Sequence, residues 1–354
     1  MTTLSPAPRS MEPAVAALAT AVLLLFFIGT LGGTVRSGIT SAELNTFSLW
    51  VIVLALAAGA LALLSALSAF LLALRARKET AGGNVLAARA SAAQSRQNTF
   101  VTWGFSVAVV LAFAFTQLLL MNDGNIQRTF LQWDLMRASA FDVARAFLVN
   151  IKLAVISQVI VLAFGLVLAV ARMAPGRAGA PLRFMAVAYI DLMRAVPAVI
   201  VLYLIGFGLP LTNLPVISRL SPDWFAILAL SLTYSAYVAE IYRSGIASIH
   251  PSQWSAARSL GFSYVQTLRY FILPQAIRIV IPPLLSTFIA LQKDTSLVNV
   301  IGTLDAFNQA KFYASSSFNL SSVTVVAILF VVITIPQTRY VDWMLARVAK
   351  RTRG

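Results

Sequence analysis

Residues 13–35 read PAVAALATAVLLLFFIGTLGGTV, an unbroken run of apolar and small residues without a charged side chain. Two more uncharged stretches follow, at residues 45–74 and 97–122. A bilayer has a hydrocarbon core about 30 Å thick, which a helix of roughly 20 apolar residues crosses. Only helices and closed barrels satisfy their backbone hydrogen bonds there, and these stretches have helix length. The sequence therefore predicts an all-α polytopic membrane protein.

Further apolar stretches bring the expected number of transmembrane helices to about eight. They are residues 147–171, 184–210, 224–242, 276–301 and 320–337. The predicted organisation is an N-terminal three-span extension (1–122) with a cytoplasmic loop at 75–96, an extracytoplasmic linker (123–146), a five-span core (147–345) and a basic cytoplasmic tail (346–354). The loop at 75–96 is rich in Ala, Ser, Gly and Arg, which predicts a flexible polar segment.

The overall composition agrees with this class, since 59% of the residues are hydrophobic and 11% are charged. The net charge of +15 can indicate nucleic-acid binding, but in a membrane protein a basic excess is usually the positive-inside signature. If the N-terminus is cytoplasmic, eighteen Lys and Arg residues fall in inner segments and six in outer ones. This asymmetry predicts that both termini are cytoplasmic. The first span has no clear signal-peptidase site after it and is predicted to be retained.

Several kinds of chemistry are disfavoured by the residue inventory. The chain has no cysteine and one histidine, His250, so cysteine nucleophiles and histidine-rich metal clusters are excluded. It contains neither a Gly-x-x-x-x-Gly-Lys-Ser/Thr loop nor a Gly-x-Ser-x-Gly elbow. We expect a chain that is not itself an enzyme and binds no cofactor.

The most unusual polar stretch is residues 240–275, EIYRSGIASIHPSQWSAARSLGFSYVQTLRYFILPQ, between two predicted spans and on the predicted inner side. Pro251 can open a helix, Trp254, Ala257 and Gly261 follow at helical spacing, and Pro274 punctuates the far end. The pattern favours a docking element for a cytoplasmic partner. The alternative is an amphipathic helix lying on the membrane surface.

This stretch resembles the membrane permeases of bacterial ABC importers. Their cytoplasmic signature reads Glu-Ala-Ala, three residues, Gly, nine residues, Ile, one residue, Leu-Pro. The matching residues here are Ser255, Ala256, Ala257, Gly261, Phe271, Leu273 and Pro274. The spacing is intact, while Ser255 and Phe271 replace the signature glutamate and isoleucine.

Further motifs resemble the polar amino-acid permease family, which transports substrates of the His, Glu, Gln, Arg and opine type. They are YIDLMRAVPAVIVLYLIGFGLP (189–210), AYVAEIYRSGI (236–246), QWSAARSLG (253–261), TLRYFILPQAIRIVIPP (267–283) and LQKDTSLVNVIG (291–302). The resemblance extends from about Val149 to the C-terminus and leaves out the first three spans.

The resemblance implies a five-helix type I ABC importer permease core in the bacterial inner membrane. Its loop at 249–275 would form a coupling helix seated on a separate ATPase, with Trp254, Leu260 and Tyr264 as anchors beside the signature residues. The implied partners are ABC ATPase subunits, which use the ATP, an extracytoplasmic solute-binding protein and a second permease, either identical or related.

Five ionisable residues lie within predicted spans, where they need a partner or a watery path: Asp191, Arg194, Glu240, Lys293 and Asp294. Asp191 with Arg194, and Glu240 with Arg243, are spaced to pair on one helix face. Such pairing would be structural, whereas unpaired side chains would mark a substrate pathway.

The seventh predicted span carries a second candidate feature, because Pro282 and Pro283 interrupt it and a polar run follows. Broken helices free backbone groups that can bind a zwitterion. Lys293, Thr295 and Ser296 are candidates for a substrate carboxylate, and Asp294 for its ammonium group. The same residues can instead mark the outer membrane boundary.

The function that the sequence favours is an importer permease that moves a polar amino acid inward by alternating access. The alternatives are an ion-coupled secondary transporter and a non-transporting membrane anchor or assembly protein. Absence of a repeated pattern of broken helices in two halves disfavours the secondary transporter. The identity of the amino acid, the type of dimer and the role of the first three spans stay open.

Overall fold

The computed structural model describes residues 9–215, 217 and 220–352, with side chains as far as residue 347. Every regular element in this part of the chain is helical. The chain divides into two compact units, Met1–Gln132 and Trp133–Gly354. The division falls inside the stretch 123–146 that the sequence assigns to a linker, and helix covers most of that stretch.

The described residues contain six helical stretches long and apolar enough to cross a membrane, or seven if a bent pair counts as one span. One of the six, Val85–Arg172, runs through the third and fourth predicted spans. The polytopic all-α class is confirmed, and the predicted number of eight spans is approximate.

From residue 9 onward, where its description begins, the first unit consists of three long helices: α1 (Met11–Ser37), α2 (Ala42–Ala81) and α3 (Val85–Phe130). Their contact surfaces are made of small residues, among them Ala14, Ala17, Ala66 and Ala69, which are fully buried. Large apolar side chains such as Phe26 point away from the unit. Lipid tails are as apolar as leucine, so helices in a membrane associate through close packing of small residues. The inside-out pattern is that of a lipid-embedded bundle.

The predicted flexible loop at 75–96 is wrong. Helix α2 continues to Ala81 and α3 begins at Val85, so only a short turn around Gly83, with φ of +77°, joins them. The Asn84 side chain accepts a hydrogen bond from the Ala87 amide and caps α3. Alanine, arginine, lysine and glutamate are strong helix formers, and their propensity outweighs the polar character of the segment.

A break in α3 at Met121–Gly124 is held by a single carboxylate. Asn122 and Asp123 have φ of +53° and +58° there. The Asp123 carboxylate accepts hydrogen bonds from the Thr40 amide at 3.1 Å and the Ser41 amide at 3.0 Å. These bonds fasten the α1–α2 connection to the break.

In the part of the second unit that the structure describes, there are ten α-helical segments of very different lengths. They are α4 (Trp133–Arg172), α5 (Ala180–Ala195), α6 (Ala198–Tyr203), α7 (Leu209–Leu211), α8 (Pro222–Ala247), α9 (Pro251–Ser259), α10 (Tyr264–Thr267), α11 (Leu273–Asp294), α12 (Ala306–Ser317) and α13 (Ser321–Thr352). A π-helical turn, Leu204–Gly208, joins α6 to α7, and another, Leu268–Ile272, joins α10 to α11. A 3₁₀ segment, Thr295–Ile301, follows α11.

Helix α8 forms the centre of this unit. Its residues Ala226, Leu230 and Val238 are fully buried. Gly165 of α4 lies so close that a Cβ built on it would meet Val238 Cγ1 at 2.7 Å and the Ser235 carbonyl oxygen at 3.2 Å. The central helix therefore supports both the cavity and the loop at 249–275 described below.

Gly165→Val is expected to lower the free energy of unfolding by about 1–3 kcal/mol, because overpacking at this contact pushes α4 away from α8. The check is the thermal unfolding midpoint of the detergent-solubilised protein. Gly104→Val, at a position with open space around a Cβ, is the matched control. Equal shifts in the two variants would contradict the packing role of Gly165.

The fifth predicted span, 184–210, is broken. Helices α5 and α6–α7 meet at an angle of 102°. Val196 is extended, with ψ of 129°, as expected for a residue before proline. Pro197 also lacks the amide that would continue the helix.

The seventh predicted span is broken at a different place from the one expected. Helix α11 continues through Pro282 and Pro283, and the hydroxyls of Ser286 and Thr287 donate to the carbonyl oxygens of these prolines at 3.3 and 2.9 Å. The α-helix changes to 3₁₀ only after Asp294. The predicted interruption at the prolines is therefore wrong.

Candidate functional site

A cavity of about 580 Å³ opens in the second unit beside the α5–α6 break. It is bounded by the break, by α8 and by α11. Its lining residues are Arg194, Ala195, Val196, Pro197, Ala198, Thr233, Tyr234, Tyr237, Ser286, Thr287, Ala290 and Asp294. The volume lies within the range of roughly 300–1,000 Å³ typical of small-molecule sites.

The two charged residues of the cavity are Arg194 and Asp294. Arg194 lies in the last turn of α5, and its guanidinium lies over the Tyr237 ring, 5.8 Å from the centroid. Asp294 ends α11, and its carboxylate accepts a hydrogen bond of 2.7 Å from the Tyr234 hydroxyl. A cation and an anion from helices far apart in the sequence therefore line one space.

Polar groups that the sequence reasoning missed complete the lining. The Thr233 hydroxyl is buried and has no hydrogen-bond partner among the described residues. Ser286 and Thr287 lie on the face of α11 toward the cavity. Their spacing along α11, and that of Thr233, Tyr234 and Tyr237 along α8, gives no distinctive local signal. Only the meeting of the two helices identifies them.

The other residues predicted for the substrate pathway lie elsewhere. Lys293 is exposed and does not line the cavity. Thr295 is buried, donates to the Gln292 carbonyl oxygen and accepts from the Asn150 side chain at 3.1 Å. Ser296 donates to the Lys293 carbonyl oxygen. The structure thus brings Arg194 and Asp294 together and separates Lys293, Thr295 and Ser296 from the cavity lining.

The side chain of Asn150 organises the turn after α11. Besides Thr295, it donates to Asp305 at 3.0 Å and accepts from the Ala306 amide at 3.0 Å. Asp305 in turn caps α12 by accepting from the Asn308 amide. A fully satisfied polar network of this kind is rigid, so it fixes the end of the helix that carries Asp294.

Glu240 belongs to an ion cluster separate from the cavity lining. Its carboxylate pairs with Arg172 of α4 at 2.6 Å and with Arg243 of α8. The predicted Glu240–Arg243 pair is therefore confirmed. Asp191 and Arg194 form no ion pair among the described residues. The cluster ties α4 to α8 just before the loop at 249–275.

Glu240→Gln is expected to lower the free energy of unfolding by about 1.5–3 kcal/mol, since charged hydrogen bonds of this size are lost and two guanidinium groups are left side by side. Thermal unfolding in detergent measures the effect. Asp342→Asn removes an exposed pair with Arg339 and should change stability by less than about 1 kcal/mol. If both variants melt alike, the cluster is not a stabilising element.

The loop at 249–275 begins with the predicted helix, α9, with Pro251 in its first turn and a His250 side-chain cap. Gly261 follows its end with φ of +85°, and the Phe262 amide bonds back to the Ala257 carbonyl oxygen. This is the left-handed ending that glycine favours. Ser263 and Gln266 then form a capping box that starts α10. Pro274 lies in the first turn of α11.

Burial divides the signature residues of this loop into two sets. Ala257 is buried, and Trp254 packs on the cluster of Ile249, Ile272 and Ala276 while stacking on Tyr264. The exposed set is Ser255, Ala256, Leu260, Gly261, Leu273 and Pro274. Trp254 thus anchors the loop to its own chain, and small residues such as Ser255, Ala256 and Gly261 are open to a partner.

A multi-span helical unit with a polar cavity is typical of membrane transport proteins. Residues 162–354 match the family described as the binding-protein-dependent transport system inner membrane component. The chain belongs to this family, and the match begins within α4. The family resemblance drawn from the sequence motifs is confirmed.

Curated relatives agree with the family match. The chain is 38% identical over 171 residues to a probable glutamine ABC transporter permease protein of Bacillus subtilis, covering 48% of this chain and 77% of the relative. It is 36% identical over 201 residues to the glutamate transport system permease protein of Corynebacterium glutamicum, covering 54% and 87%.

Among solved structures, the crystal structure of an amino acid ABC transporter with histidines superposes with a TM-score of 0.54 and 30% identity. The superposition covers 58% of this chain and 93% of that chain. These matches support the permease interpretation over the ion-coupled transporter and the non-transporting anchor.

Proposed function

We propose that this chain is the permease subunit of an ATP-driven importer and carries a polar amino acid inward by alternating access. The observation that carries the proposal is the cavity that Arg194 and Asp294 line together. An amino acid carries one carboxylate and one ammonium group at neutral pH, so its charges complement this pair. The names of the relatives, which include glutamine and glutamate permeases, support the same substrate class.

The cavity offers each group of a zwitterion a distinct partner. The Arg194 guanidinium presents a planar set of donors suited to a carboxylate. Asp294 accepts from an ammonium group while Tyr234 holds its carboxylate in place. The unpartnered Thr233 hydroxyl supplies a further polar contact. Charged hydrogen bonds in such a site compensate for the loss of water around the substrate.

The exposed residues of the inner loop form the coupling surface for a separate ATPase in this proposal. Ser255, Ala256 and Gly261 allow close approach, and Leu260 supplies an apolar contact. The loop lies between α8 and α11, which both line the cavity. Movement of the loop by ATP-driven closure of the partner is therefore transmitted along these two helices to Tyr234 and Asp294.

The complete assembly in this proposal contains two ABC ATPases, a second permease and an extracytoplasmic solute-binding protein. The ATP is bound by the ATPases, and this chain contributes no catalytic residue or cofactor site. Both termini and the loop at 249–275 are cytoplasmic. The excess of Lys and Arg in the inner segments supports this orientation.

The proposal is tested with proteoliposomes that contain this chain and its candidate ATPase, supplied with the binding protein and single amino acids. We expect ATP hydrolysis to rise with at least one polar amino acid and not with apolar ones. Uptake without the ATPase, driven by an ion gradient, would instead identify an ion-coupled transporter. If no amino acid changes the rate of ATP hydrolysis, the assignment of a polar amino-acid substrate is wrong.

A further inference from the structure

The α2–α3 hairpin of the first unit ends in a group of cations without protein partners. Arg75, Arg77, Lys78 and Arg96 are exposed, and their side chains make no hydrogen bond or ion pair with the described residues. Glu79, by contrast, accepts a hydrogen bond from Ser91. The partner-free cations lie within a few turns of the point where the apolar parts of both helices begin.

One of these cations, Arg96, lines a groove of about 580 Å³ that runs along one face of α3. It is lined by Ala93, Arg96, Gln97, Phe100 and Val101. The Phe100 and Val101 side chains are 60% and 55% exposed. The groove is therefore polar and cationic at one end and apolar at the other.

The position of the groove along α3 corresponds to a membrane interface. The uncharged stretch of α3 starts at Gln97, so Arg96 lies at headgroup depth and Phe100 one turn deeper. Phe100 packs edge-on against Trp103, with ring centroids 5.8 Å apart. Aromatic side chains are typical of this depth, where acyl chains meet headgroups.

Hydrogen bonds on both sides of Arg96 hold the groove in shape. Ser95 donates to the Ala69 carbonyl oxygen at 2.7 Å, and Asn98 donates to Ser68 at 2.9 Å. The α2 and α3 backbones are thus fixed next to Arg96, and little ordering is required when a ligand binds.

We propose that this hairpin end binds an anionic phospholipid of the cytoplasmic leaflet. The lipid phosphate lies on Arg96, and one acyl chain lies over Phe100 and Val101. A nucleic acid or a soluble acidic protein matches the cations but not the apolar half of the groove, which lies within the bilayer. The leaflet follows from the orientation in the proposed function, whereas the site itself does not depend on transport.

The test uses the purified full-length chain, titrated with phosphatidylglycerol or phosphatidylcholine and followed by native mass spectrometry. Arg96→Gln is expected to weaken phosphatidylglycerol binding about five-fold, the effect of one interfacial cation. Phosphatidylcholine binding should not change. Arg128→Gln is the matched control, because it makes the same charge change near the opposite end of α3. It should leave phosphatidylglycerol binding unchanged.

Two further experiments show whether the bound phosphate belongs to a lipid or is free inorganic phosphate. Phe100→Ala should weaken phosphatidylglycerol binding as well, since it removes the acyl contact. Inorganic phosphate at equal concentration should not displace the lipid. Displacement by phosphate, or equal effects of Arg96→Gln and Arg128→Gln at unchanged melting temperature, would overturn the lipid site. Failure of amino-acid transport would leave these results unaffected.

Discussion

Arg194→Gln and Asp294→Asn are each expected to reduce amino-acid uptake about 10- to 100-fold in proteoliposomes that contain the complete importer. Each change removes one charged partner of the zwitterion, and a hydrogen bond to a charged group is worth about 1.5–3 kcal/mol. The measurement is the initial rate of labelled amino-acid uptake at saturating ATP. Substrate-independent ATP hydrolysis should fall much less, because neither residue lies in the loop that we propose contacts the ATPase.

Two other variants sharpen this experiment. Asp191→Asn changes an exposed carboxylate of α5 outside the cavity lining and should leave uptake unchanged. Lys293→Gln tests a position for which the sequence pattern allows either a substrate contact or the membrane boundary, whereas the cavity geometry predicts no contact. If both Arg194→Gln and Asp294→Asn take up the amino acid at the wild-type rate, the cavity is not part of the transport pathway.

Gly261→Val is expected to reduce substrate-stimulated ATP hydrolysis at least ten-fold. A left-handed conformation costs an L-residue about 1–2 kcal/mol, and a β-branched residue more. At φ of +85°, valine therefore shifts the end of α9 and displaces Leu260 from the coupling surface. Stimulated hydrolysis and recovery of the ATPase on purification of the chain should fall together.

Gly261→Asn distinguishes two reasons why glycine would be needed here: a left-handed backbone conformation, or open space for a partner. Asparagine tolerates the left-handed region, and a Cβ at this position meets nothing within 4 Å in the chain. If conformation is the requirement, this variant keeps most of the coupling. If asparagine is as harmful as valine, the glycine is needed because the ATPase approaches it closely, and the conformational explanation is wrong.

The positions of these residues explain how the two ends of the unit communicate. Helix α8 carries Tyr234 in the cavity and Glu240 in the ion cluster, and then leads into the loop. Helix α11 begins in the loop at Leu273 and ends at Asp294. Both helices therefore run directly between the loop and the cavity.

Much of the fold follows from local chemistry in the sequence. Long uncharged stretches specify membrane helices, since lipid offers no other partner for backbone groups. Pro251 and Gly261 specify the start and end of α9 through φ angles that a single residue controls. The family motifs lie in such local patterns, so the family could be identified before the structure was known.

The breaks in the helices were harder to predict, because they depend on competing local effects. Pro197 bends its span sharply, whereas Pro282 and Pro283 do not interrupt α11. Helix α11 continues through both prolines, and the Ser286 and Thr287 hydroxyls donate to the proline carbonyl oxygens one turn further on. The segment 75–96 was hard to predict for the same reason. Its helix propensity indicates a helix, whereas its polarity indicates a flexible loop.

The sequence by itself determined the membrane class, the helical segments and the local geometry of the inner loop, because each depends on residues close together in the chain. Only the tertiary structure decided which polar residues share a cavity. Arg194 and Asp294 meet because α5 and α11 both pack on α8, and Trp254 faces its own chain because a cluster around Ile272 receives it. Such contacts depend on packing between distant segments, which no local spacing specifies.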